Sequence, residues 1–448
     1  MVKRVAFYTL GCKANQYDTE AMKEKIRGEP GLELVPFDEE PDISIINTCS
    51  VTTGADRKSR KYVRRAARKS ETVLVTGCYT VLDSDLLADI SGVDGVFPNS
   101  RKKEVVRIIK RASSGSSDLL ELKPGQWEID EQTISRDSNH TRAFLKIQDG
   151  CSNSCSFCKV HLLRGPARSK APGKVIEEAR SLGQNGFEEV VLTGINLEEY
   201  GEKEYDLAEL IRELADVETI SRIRLSSINP GGITEKLLSV FAGSESTCPY
   251  FHIPLQSGSD RVLEKMSRGY TKGDYLAKID LIEQKLPGAT FGTDIMVGFP
   301  GETDGDFEET LDTVRGVRFI NVHVFRYSPR EVTPASDFDN KVGSTVKKAR
   351  SKKLREIAAS ISREKRTEFL GEKLEMIVEE RSNKVDGWRG YSKNYLDLHI
   401  PEATDTEGIA AGERVSVRVS EINDGYCLVE PGEAKNVFGE RSSAKVTG

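Results

Sequence analysis

The chain has 448 residues, of which 37% are hydrophobic and 30% are charged. This size and composition are typical of a globular protein with two or three domains. The net charge of −6 argues against general attraction to polyanions, so a nucleic-acid site would need local basic clusters. We find no apolar run of about 20 residues, the length of a membrane span. The opening "MVKRVAFYTLGCKANQ" is typical of a first strand rather than a signal peptide, so we expect a cytoplasmic protein.

Residues 1–111 alternate between strand-like and helix-like segments. The apolar runs "RVAFYTL", "DISIINT" and "ETVLVTG" each precede a helical segment, which predicts a parallel α/β sheet. Residues 112–141 are polar and rich in turn-forming residues, and we expect a linker with at most one edge strand.

Residues 142–370 repeat a strand–helix unit six times, which predicts an open or complete parallel barrel closed by a long basic helix. Residues 371–440 alternate with a period of two and predict a small all-β barrel, followed by a tail at 441–448. The six predicted barrel strands are "RAFLKIQ", "EEVVLTG", "RIRLSS", "YFHIPLQ", "FGTDIMVGF" and "NVHVFRYS".

Three cysteines lie close together after the first predicted barrel strand, in "IQDGCSNSCSFCKVHLLRG". Two interpretations fit Cys151, Cys155 and Cys158. Either His161 completes a structural zinc site, or the three thiolates bind a [4Fe–4S] cluster whose fourth iron stays open for a small molecule such as S-adenosylmethionine. Active sites of parallel barrels lie at the carboxyl ends of the strands, so the position favours the cluster. We call these three residues the barrel cysteines.

A second set of cysteines, the N-terminal cysteines, consists of Cys12, Cys49 and Cys78. Their sequence separation carries no information, but each follows one of the first three predicted strands. Strand ends of a parallel sheet face one crevice, so the three thiols could bind a second cluster. The alternative is that they pack as small apolar residues, which is the better interpretation for Cys248 and Cys427.

These segments resemble the methylthiotransferases of the radical-SAM superfamily, and the resemblance covers nearly the whole chain. The family implies an N-terminal domain with an auxiliary [4Fe–4S] cluster, a partial (βα)6 TIM barrel and a C-terminal TRAM barrel. It implies that the barrel cysteines bind the cluster that cleaves S-adenosylmethionine, and that the N-terminal cysteines bind the cluster that carries the sulfur. The matching segments include "TLGCKANQYDTE", "NTCSVTTGADRKSR", "TGCY", "GCSNSCSFCKVHLLRGPARS", "LTGINLEEYG", "HIPLQSGSDRVLEKMSRGYT" and "TDIMVGFPGET".

The resemblance also implies a set of contacts to S-adenosylmethionine at the strand ends. For single residues, ordinary turn and cap chemistry is the alternative explanation. The expected cofactor-binding residues are Phe157, Thr193, Gly194, Asn196, Ser226, Ser227, Gln256 and Ser257.

Three subgroups of the family differ in substrate. One modifies tRNA with isopentenyladenosine at position 37, one modifies tRNA with N6-threonylcarbamoyladenosine there, and one modifies an aspartate of a ribosomal protein. "TLGCKANQYDTE" resembles the threonylcarbamoyladenosine subgroup, whereas the isopentenyl subgroup more often has Tyr-Gly-Cys-Gln-Met-Asn. Ala14, "CKVHLLRG" and Val332 differ from the usual sequence motifs of the family. From a different functional class, a zinc-dependent, non-catalytic RNA-binding protein remains an alternative.

Two segments are candidates for contact with the anticodon loop of tRNA. In residues 55–70, eight of sixteen residues are Lys or Arg, at helical spacing. The segment "GWRGYSKNY" combines aromatic rings with positive charge, which suits stacking on unpaired bases, although residues 372–448 are net acidic. The predicted RNA-binding residues are Arg57, Arg60, Lys61, Arg64 and Arg68, which we call the basic stripe, and Trp388, Arg389 and Lys393.

The family's reaction implies further partners. Besides tRNA it needs an electron donor such as flavodoxin or ferredoxin and a source of sulfur, and no membrane contact is expected.

Overall fold

The structure is a computed structural model that describes residues 2–113, 127, 129, 133–137, 140–202, 204–402 and 408–432. Most of the predicted linker and all of the predicted tail lie outside these residues. Within them, no helix combines the length and the apolar character needed to cross a membrane.

The N-terminal part is a parallel five-stranded sheet with the strand order β2-β1-β3-β4-β5. Its central strand is buried at every residue, as expected of a parallel strand covered on both faces. Helices α1 and α4 pack on one face, and α2 and α3 pack on the other. The strands are β1 (Lys3–Thr9), β2 (Leu32–Leu34), β3 (Ile43–Thr48), β4 (Thr72–Gly77) and β5 (Gly95–Val96), and the helices are α1 (Lys13–Arg27), α2 (Thr53–Ala66), α3 (Ser84–Ala88) and α4 (Val105–Ser113).

The middle part is a curved parallel sheet of six strands. Its two three-stranded halves, β6-β9-β12 and β13-β14-β15, are joined by a parallel bridge between Ser227 and His252. No described residues pair β6 with β15, so the barrel is open. The six strands are β6 (Ala143–Lys146), β9 (Glu189–Thr193), β12 (Arg222–Leu225), β13 (Tyr250–His252), β14 (Thr290–Val297) and β15 (Asn321–Arg326). Two short antiparallel pairs lie outside this sheet: β7 (Gln148–Asp149) with β8 (Arg168–Ser169), and β10 (Gly201–Glu202) with β11 (Tyr205–Asp206).

Helices cover the outer face of this barrel. Alternate strand residues such as Leu145, Leu192 and Ile223 join the large apolar core under the helices. Because successive side chains of a strand point to opposite faces, the residues between them point to the other side, which we call the barrel interior. The helices are α5 (Val160–Arg164), α6 (Pro172–Gln184), α7 (Leu207–Ala215), α8 (Glu235–Gly243), α9 (Asp260–Lys265), α10 (Lys272–Lys285), α11 (Asp304–Val317) and α12 (Ser344–Thr367).

The C-terminal part is a closed barrel with the order β16-β17-β18-β20-β19, consistent with the predicted TRAM domain. It covers the amino ends of the parallel strands: Arg222 donates to the carbonyls of Tyr391 and Glu375, and Arg224 donates to those of Ser392 and Lys393. The predicted fold class is thereby confirmed. The strands are β16 (Lys373–Arg381), β17 (Gly387–Ser392), β18 (Asp397–Pro401), β19 (Arg414–Ile422) and β20 (Cys427–Pro431).

Candidate active site

The barrel cysteines lie in the loop that follows β6 and β7, at the carboxyl end of the barrel. Gly150 precedes the loop at φ +75°, and a Cβ there would lie 2.0 Å from the Pro166 carbonyl oxygen, so only glycine fits this turn. The loop is closed by hydrogen bonds from the Cys151 amide to the Gly165 carbonyl (3.1 Å) and from the Cys158 amide to the Cys155 carbonyl (3.0 Å). The backbone therefore holds the three thiols in one short loop.

Charged side chains surround the barrel cysteines. The Arg268 guanidinium donates to the Cys155 sulfur at 3.2 Å, and the Glu199 carboxylate accepts the Ser152 amide at 3.1 Å. Burial raises the pKa of the Cys151 thiol to about 12 and that of Cys158 to about 11. Buried thiols of this kind become thiolates only when a cation such as iron binds them, so their chemistry fits a metal-bound group.

The N-terminal cysteines lie at the ends of β1, β3 and β4, as the sequence predicts. A Cβ on Gly11 would lie 2.9 Å from the Cys49 Cβ, so the backbone just before Cys12 can come this close to Cys49 only because residue 11 is glycine. A Cβ on Gly77, just before Cys78, would lie 2.2 Å from the Thr48 carbonyl oxygen. Two glycines with positive φ thus bring the three strand ends together.

The electrostatic environment of the N-terminal cysteines resembles that of the barrel set. Burial raises the pKa of the Cys49 thiol to about 11, and the nearby Cys78 and Cys12 add to the rise. Cys78 is buried and Cys12 is exposed. The Asn99 side-chain amide donates to the Cys78 sulfur at 3.8 Å.

Neither cysteine set has the spacing of a single-ion site. Sulfurs around one tetrahedral zinc ion lie about 3.8 Å apart, because each Zn–S bond is about 2.3 Å. In the described residues, three or more candidate ligand atoms lie within 4.8 Å of one another only at His252, Asp294 and His323. No three of the barrel cysteines and His161 do so. The three thiols of each set therefore do not all lie within 4.8 Å of one another.

Polar contacts join the two cysteine sets across the contact between the N-terminal sheet and the barrel. The Arg164 guanidinium donates to both oxygens of Asp149 at 2.9 and 3.0 Å, to Asp18 at 3.0 Å and to the Asn15 amide oxygen at 2.5 Å. The Lys159 ammonium, next to Cys158, donates to the Ser50 hydroxyl, next to Cys49, at 2.7 Å. The two sets therefore face each other. Sequence spacing gives no signal for these contacts.

The Asp18 carboxylate is the anionic centre of this contact. It accepts hydrogen bonds from Arg164, Lys102 and Lys146. These cations outweigh the desolvation by burial and hold the pKa of Asp18 well below its usual range.

Most of the predicted cofactor-binding residues lie at the carboxyl ends of neighbouring strands. Thr193 ends β9, and the Gln148 amide oxygen accepts the backbone amide of Asn196 at 2.9 Å. The Asn196 side chain in turn donates to Glu199 at 2.9 Å, which ties this turn to the barrel-cysteine loop. A Cβ on Gly194 would lie 2.8 Å from the Gln148 amide oxygen.

The remaining cofactor predictions fall into different surroundings. Ser226 is buried and Ser227 exposed at the end of β12, and Gln256 adopts φ +65° at the end of β13. Ser257 is buried with its hydroxyl 3.5 Å from that of Thr310 on α11, so its side chain is directed toward the helical layer. Phe157 packs edge-on against Phe299, with ring centroids 6.5 Å apart. The cofactor contacts stay predictions.

Four residues of the basic stripe lie on α2, and Arg68 follows the end of that helix. Arg57, Lys61, Arg64 and Arg68 are exposed and form no ion pair with described residues, whereas Arg60 donates to the Tyr79 hydroxyl. A groove with a volume of about 850 Å³ is lined by Arg60, Arg64 and Arg68 together with Leu86 of α3 and residues 89–91 that follow it. Three residues of the basic stripe thus line a surface groove, and RNA binding by the stripe stays a prediction.

The predicted RNA-binding residues of the C-terminal barrel are less available. Arg389 forms ion pairs with Asp397 and Glu380 at 2.8 Å, and Lys393 donates to the Glu245 carbonyl at 2.7 Å. The Arg381 guanidinium lies 4.4 Å from the centroid of the Trp388 ring. RNA binding by Trp388, Arg389 and Lys393 stays a prediction.

Comparison with known proteins identifies the chain. Family models match for the radical SAM superfamily over residues 145–314 and for the uncharacterized protein family UPF0004 over residues 4–98. The threonylcarbamoyladenosine tRNA methylthiotransferases MtaB of Bacillus subtilis and Aquifex aeolicus are each 36% identical to the chain, over 90% and 88% of its length and 92% and 96% of theirs. The chain belongs to the radical-SAM tRNA methylthiotransferase family. It is therefore an enzyme with S-adenosylmethionine and [4Fe–4S] clusters as cofactors, and the non-catalytic alternative is set aside.

Other relatives widen this picture. The tRNA-2-methylthio-N(6)-dimethylallyladenosine synthase of Pelotomaculum thermopropionicum is 34% identical over 86% of this chain and 89% of its own. Among solved structures, the radical S-adenosylmethionine methyltransferase TsrM from Kitasatospora setae matches with a TM-score of 0.59 at 15% identity, over 75% of this chain and 77% of that chain. At such identity the likeness concerns the fold.

Proposed function

We propose that this enzyme converts N6-threonylcarbamoyladenosine at position 37 of tRNA to its 2-methylthio derivative. The observation that carries the proposal is the meeting of two cysteine sets across one contact, in a chain similar over nearly its whole length to enzymes named for this substrate. Replacing a C–H bond by C–S–CH3 needs both a radical and a sulfur, and the two sets offer a separate place for each.

The barrel cysteines would hold one [4Fe–4S] cluster and the N-terminal cysteines another. When bound, the clusters supply the electron for reductive cleavage of S-adenosylmethionine and the sulfur that enters the product. Gly150 shapes the barrel-cysteine loop, Arg268 places positive charge beside Cys155, and Glu199 holds the loop through the Ser152 amide. These residues orient the cofactors and keep the loop closed.

The interface residues of the two halves exclude water from the space between the cysteine sets. Arg164, Asp18, Lys146 and Lys102 are all buried there. A closed site matters because a primary carbon radical abstracts hydrogen from any accessible weaker C–H or S–H bond, such as that of a small solute. The anticodon loop suits this chemistry, since an unpaired base enters a pocket without the cost of opening a duplex.

The reaction class implies a tRNA substrate and a reductant. We propose flavodoxin or ferredoxin as the reductant, together with a separate sulfur source. Residues 152–154, between the first two barrel cysteines, are exposed, so a small electron-transfer protein can approach that loop. The basic stripe is the proposed contact for tRNA phosphates, because four of its five cations are exposed and form no ion pair with described residues.

Nucleoside mass spectrometry of tRNA from cells that lack this protein tests the proposal. We expect loss of 2-methylthio-N6-threonylcarbamoyladenosine, accumulation of its unmodified precursor, and recovery on complementation. Loss of 2-methylthio-isopentenyladenosine instead would show that the enzyme belongs to the subgroup that modifies isopentenyladenosine. An unchanged nucleoside profile would contradict a tRNA substrate and direct attention to the ribosomal-protein aspartate.

A further inference from the structure

Lys13 directly follows Cys12 and is the first residue of α1. Its ammonium nitrogen lies 6.0 Å from the centroid of the Phe144 ring. Phe144 sits between Ala143 and Leu145, which belong to the apolar core under the helices, so its ring faces the barrel interior. The Lys13 side chain therefore extends from the N-terminal cysteines toward the barrel interior.

The other charged groups of the described interior have ion-pair or hydrogen-bond partners. Lys13 differs from them, because it forms no hydrogen bond or ion pair with any described residue. The paired groups are Arg142 with Glu189 and Glu379, Arg222 with Glu189 and Glu375, Arg224 with Glu189, Lys146 with Asp18 and Asp149, and Asp294 with His252 and His323.

An unpaired ammonium in a half-buried position is a binding group for an anion. A cation that is sheltered from water is strongly stabilised by an anionic partner, and no described residue of the protein supplies such a partner to Lys13. The N6-threonylcarbamoyl group is joined to adenine through the amino group of threonine, so it presents a free carboxylate. An isopentenyl group carries no charge and offers nothing to an ammonium.

We propose that Lys13 binds the carboxylate of the N6-threonylcarbamoyl group and so selects the substrate. This inference rests on the proposed function and names the residue behind its specificity. Phe144, beside the ammonium, supplies an apolar ring against which the rest of the modified base can pack.

Paired RNA substrates test the inference with the reconstituted holoenzyme. One anticodon stem-loop carries N6-threonylcarbamoyladenosine, and the other carries its methyl ester, in which the carboxylate charge is removed. Lys13→Gln should lower kcat/KM and binding affinity for the acid about 10- to 100-fold, the range for a hydrogen bond between charged groups, and change those for the ester little. Lys13→Arg, which keeps the charge, should retain part of the preference. Lys25→Gln, at the other end of the same helix, is the matched control.

Iron and sulfide content and the rate of 5′-deoxyadenosine formation are measured in each variant. Because Lys13 adjoins Cys12, a drop in these quantities would mean damage to the cluster site and would overturn the assignment to the substrate. Equal losses for acid and ester, or no loss for either, would also overturn it. If the wild-type enzyme fails to methylthiolate the acid substrate at all, the proposed function fails before this inference is reached.

Discussion

The two cysteine sets reach similar surroundings by opposite routes. The barrel cysteines lie within eight residues of one loop, whose backbone hydrogen bonds and Gly150 fix their arrangement locally. The N-terminal cysteines come from three separate strands, and only the parallel sheet unites them. In both sets burial raises the pKa of thiols, as seen at Cys151 and Cys49. The barrel set is thus contained in one short segment, whereas the distributed set depends on the whole sheet.

This difference predicts separate roles for the two sets, and the largest effect is expected at the barrel loop. Cys151→Ala should abolish both 5′-deoxyadenosine formation and methylthiolation, because the cluster that activates S-adenosylmethionine loses a ligand. Iron should fall from about eight to about four per chain, as expected for one of two [4Fe–4S] clusters. Liquid chromatography of the nucleoside products and iron analysis measure both effects.

Cys248→Ser is the control, since Cys248 is buried just before the amino end of β13, whereas the barrel cysteines lie at the carboxyl end of the barrel. S-adenosylmethionine cleavage at the wild-type rate in Cys151→Ala would refute the assignment of the barrel cysteines.

The next effect concerns the contact that joins the two sets. Arg164→Gln should lower the free energy of unfolding by about 3 kcal/mol, because it leaves buried carboxylates at Asp149 and Asp18 with fewer partners. Arg164→Lys should recover little, since the forked geometry is lost. Urea unfolding measures the change.

Iron analysis of Arg164→Gln measures whether the two cysteine sets still bind their clusters. We expect both clusters to be affected in Arg164→Gln, because the side chain bridges the two halves of the molecule. Arg180→Gln, an exposed arginine on α6, should change neither quantity. A loss confined to one cluster would show that the bridge serves only that half.

The smallest effect is expected on the surface next to the N-terminal cysteines. Changing Arg60 and Arg64 to Glu should weaken tRNA binding about 10-fold at moderate salt and reduce its salt dependence, because phosphate contacts release counterions. Fluorescence anisotropy at several salt concentrations measures both. Arg65→Glu with Lys69→Glu makes an equal charge change at the end of α2 and in the turn after it, but both residues already pair with Asp38. If both double variants weakened tRNA binding equally, the effect would come from overall charge and not from specific contacts of the basic stripe.

The same contrast explains how much could be predicted from the sequence. The spacing of the barrel cysteines carries its own chemistry, and the strand–helix rhythm places the N-terminal cysteines at one sheet edge. Arg164 and Asp18 are 146 residues apart, and Arg268 and Cys155 are 113 apart, so neither pair follows any local period. The first pair forms only once the N-terminal sheet and the barrel are docked, and the second only once the barrel is folded.

The aromatic segment of the C-terminal barrel illustrates the same limit. The period-two pattern in "GWRGYSKNY" predicts a strand but does not predict which residues pack against each face of that strand. In the structure the Arg142 guanidinium lies 4.7 Å from the Tyr391 ring and 5.4 Å from the Tyr395 ring, so these rings pack against the parallel barrel. The direction of Ser257 toward α11 is likewise a consequence of helix packing, which a strand-end motif does not contain.

The most direct test of the central claim is to follow both products of Cys12→Ala in one anaerobic reaction. Because Cys12 belongs to the distributed set alone, 5′-deoxyadenosine should still form from S-adenosylmethionine while no methylthio group reaches the tRNA. Continued methylthiolation would contradict a role of the N-terminal cysteines in sulfur transfer. Loss of S-adenosylmethionine cleavage, with the iron of the barrel cysteines retained, would contradict the separation of the two roles.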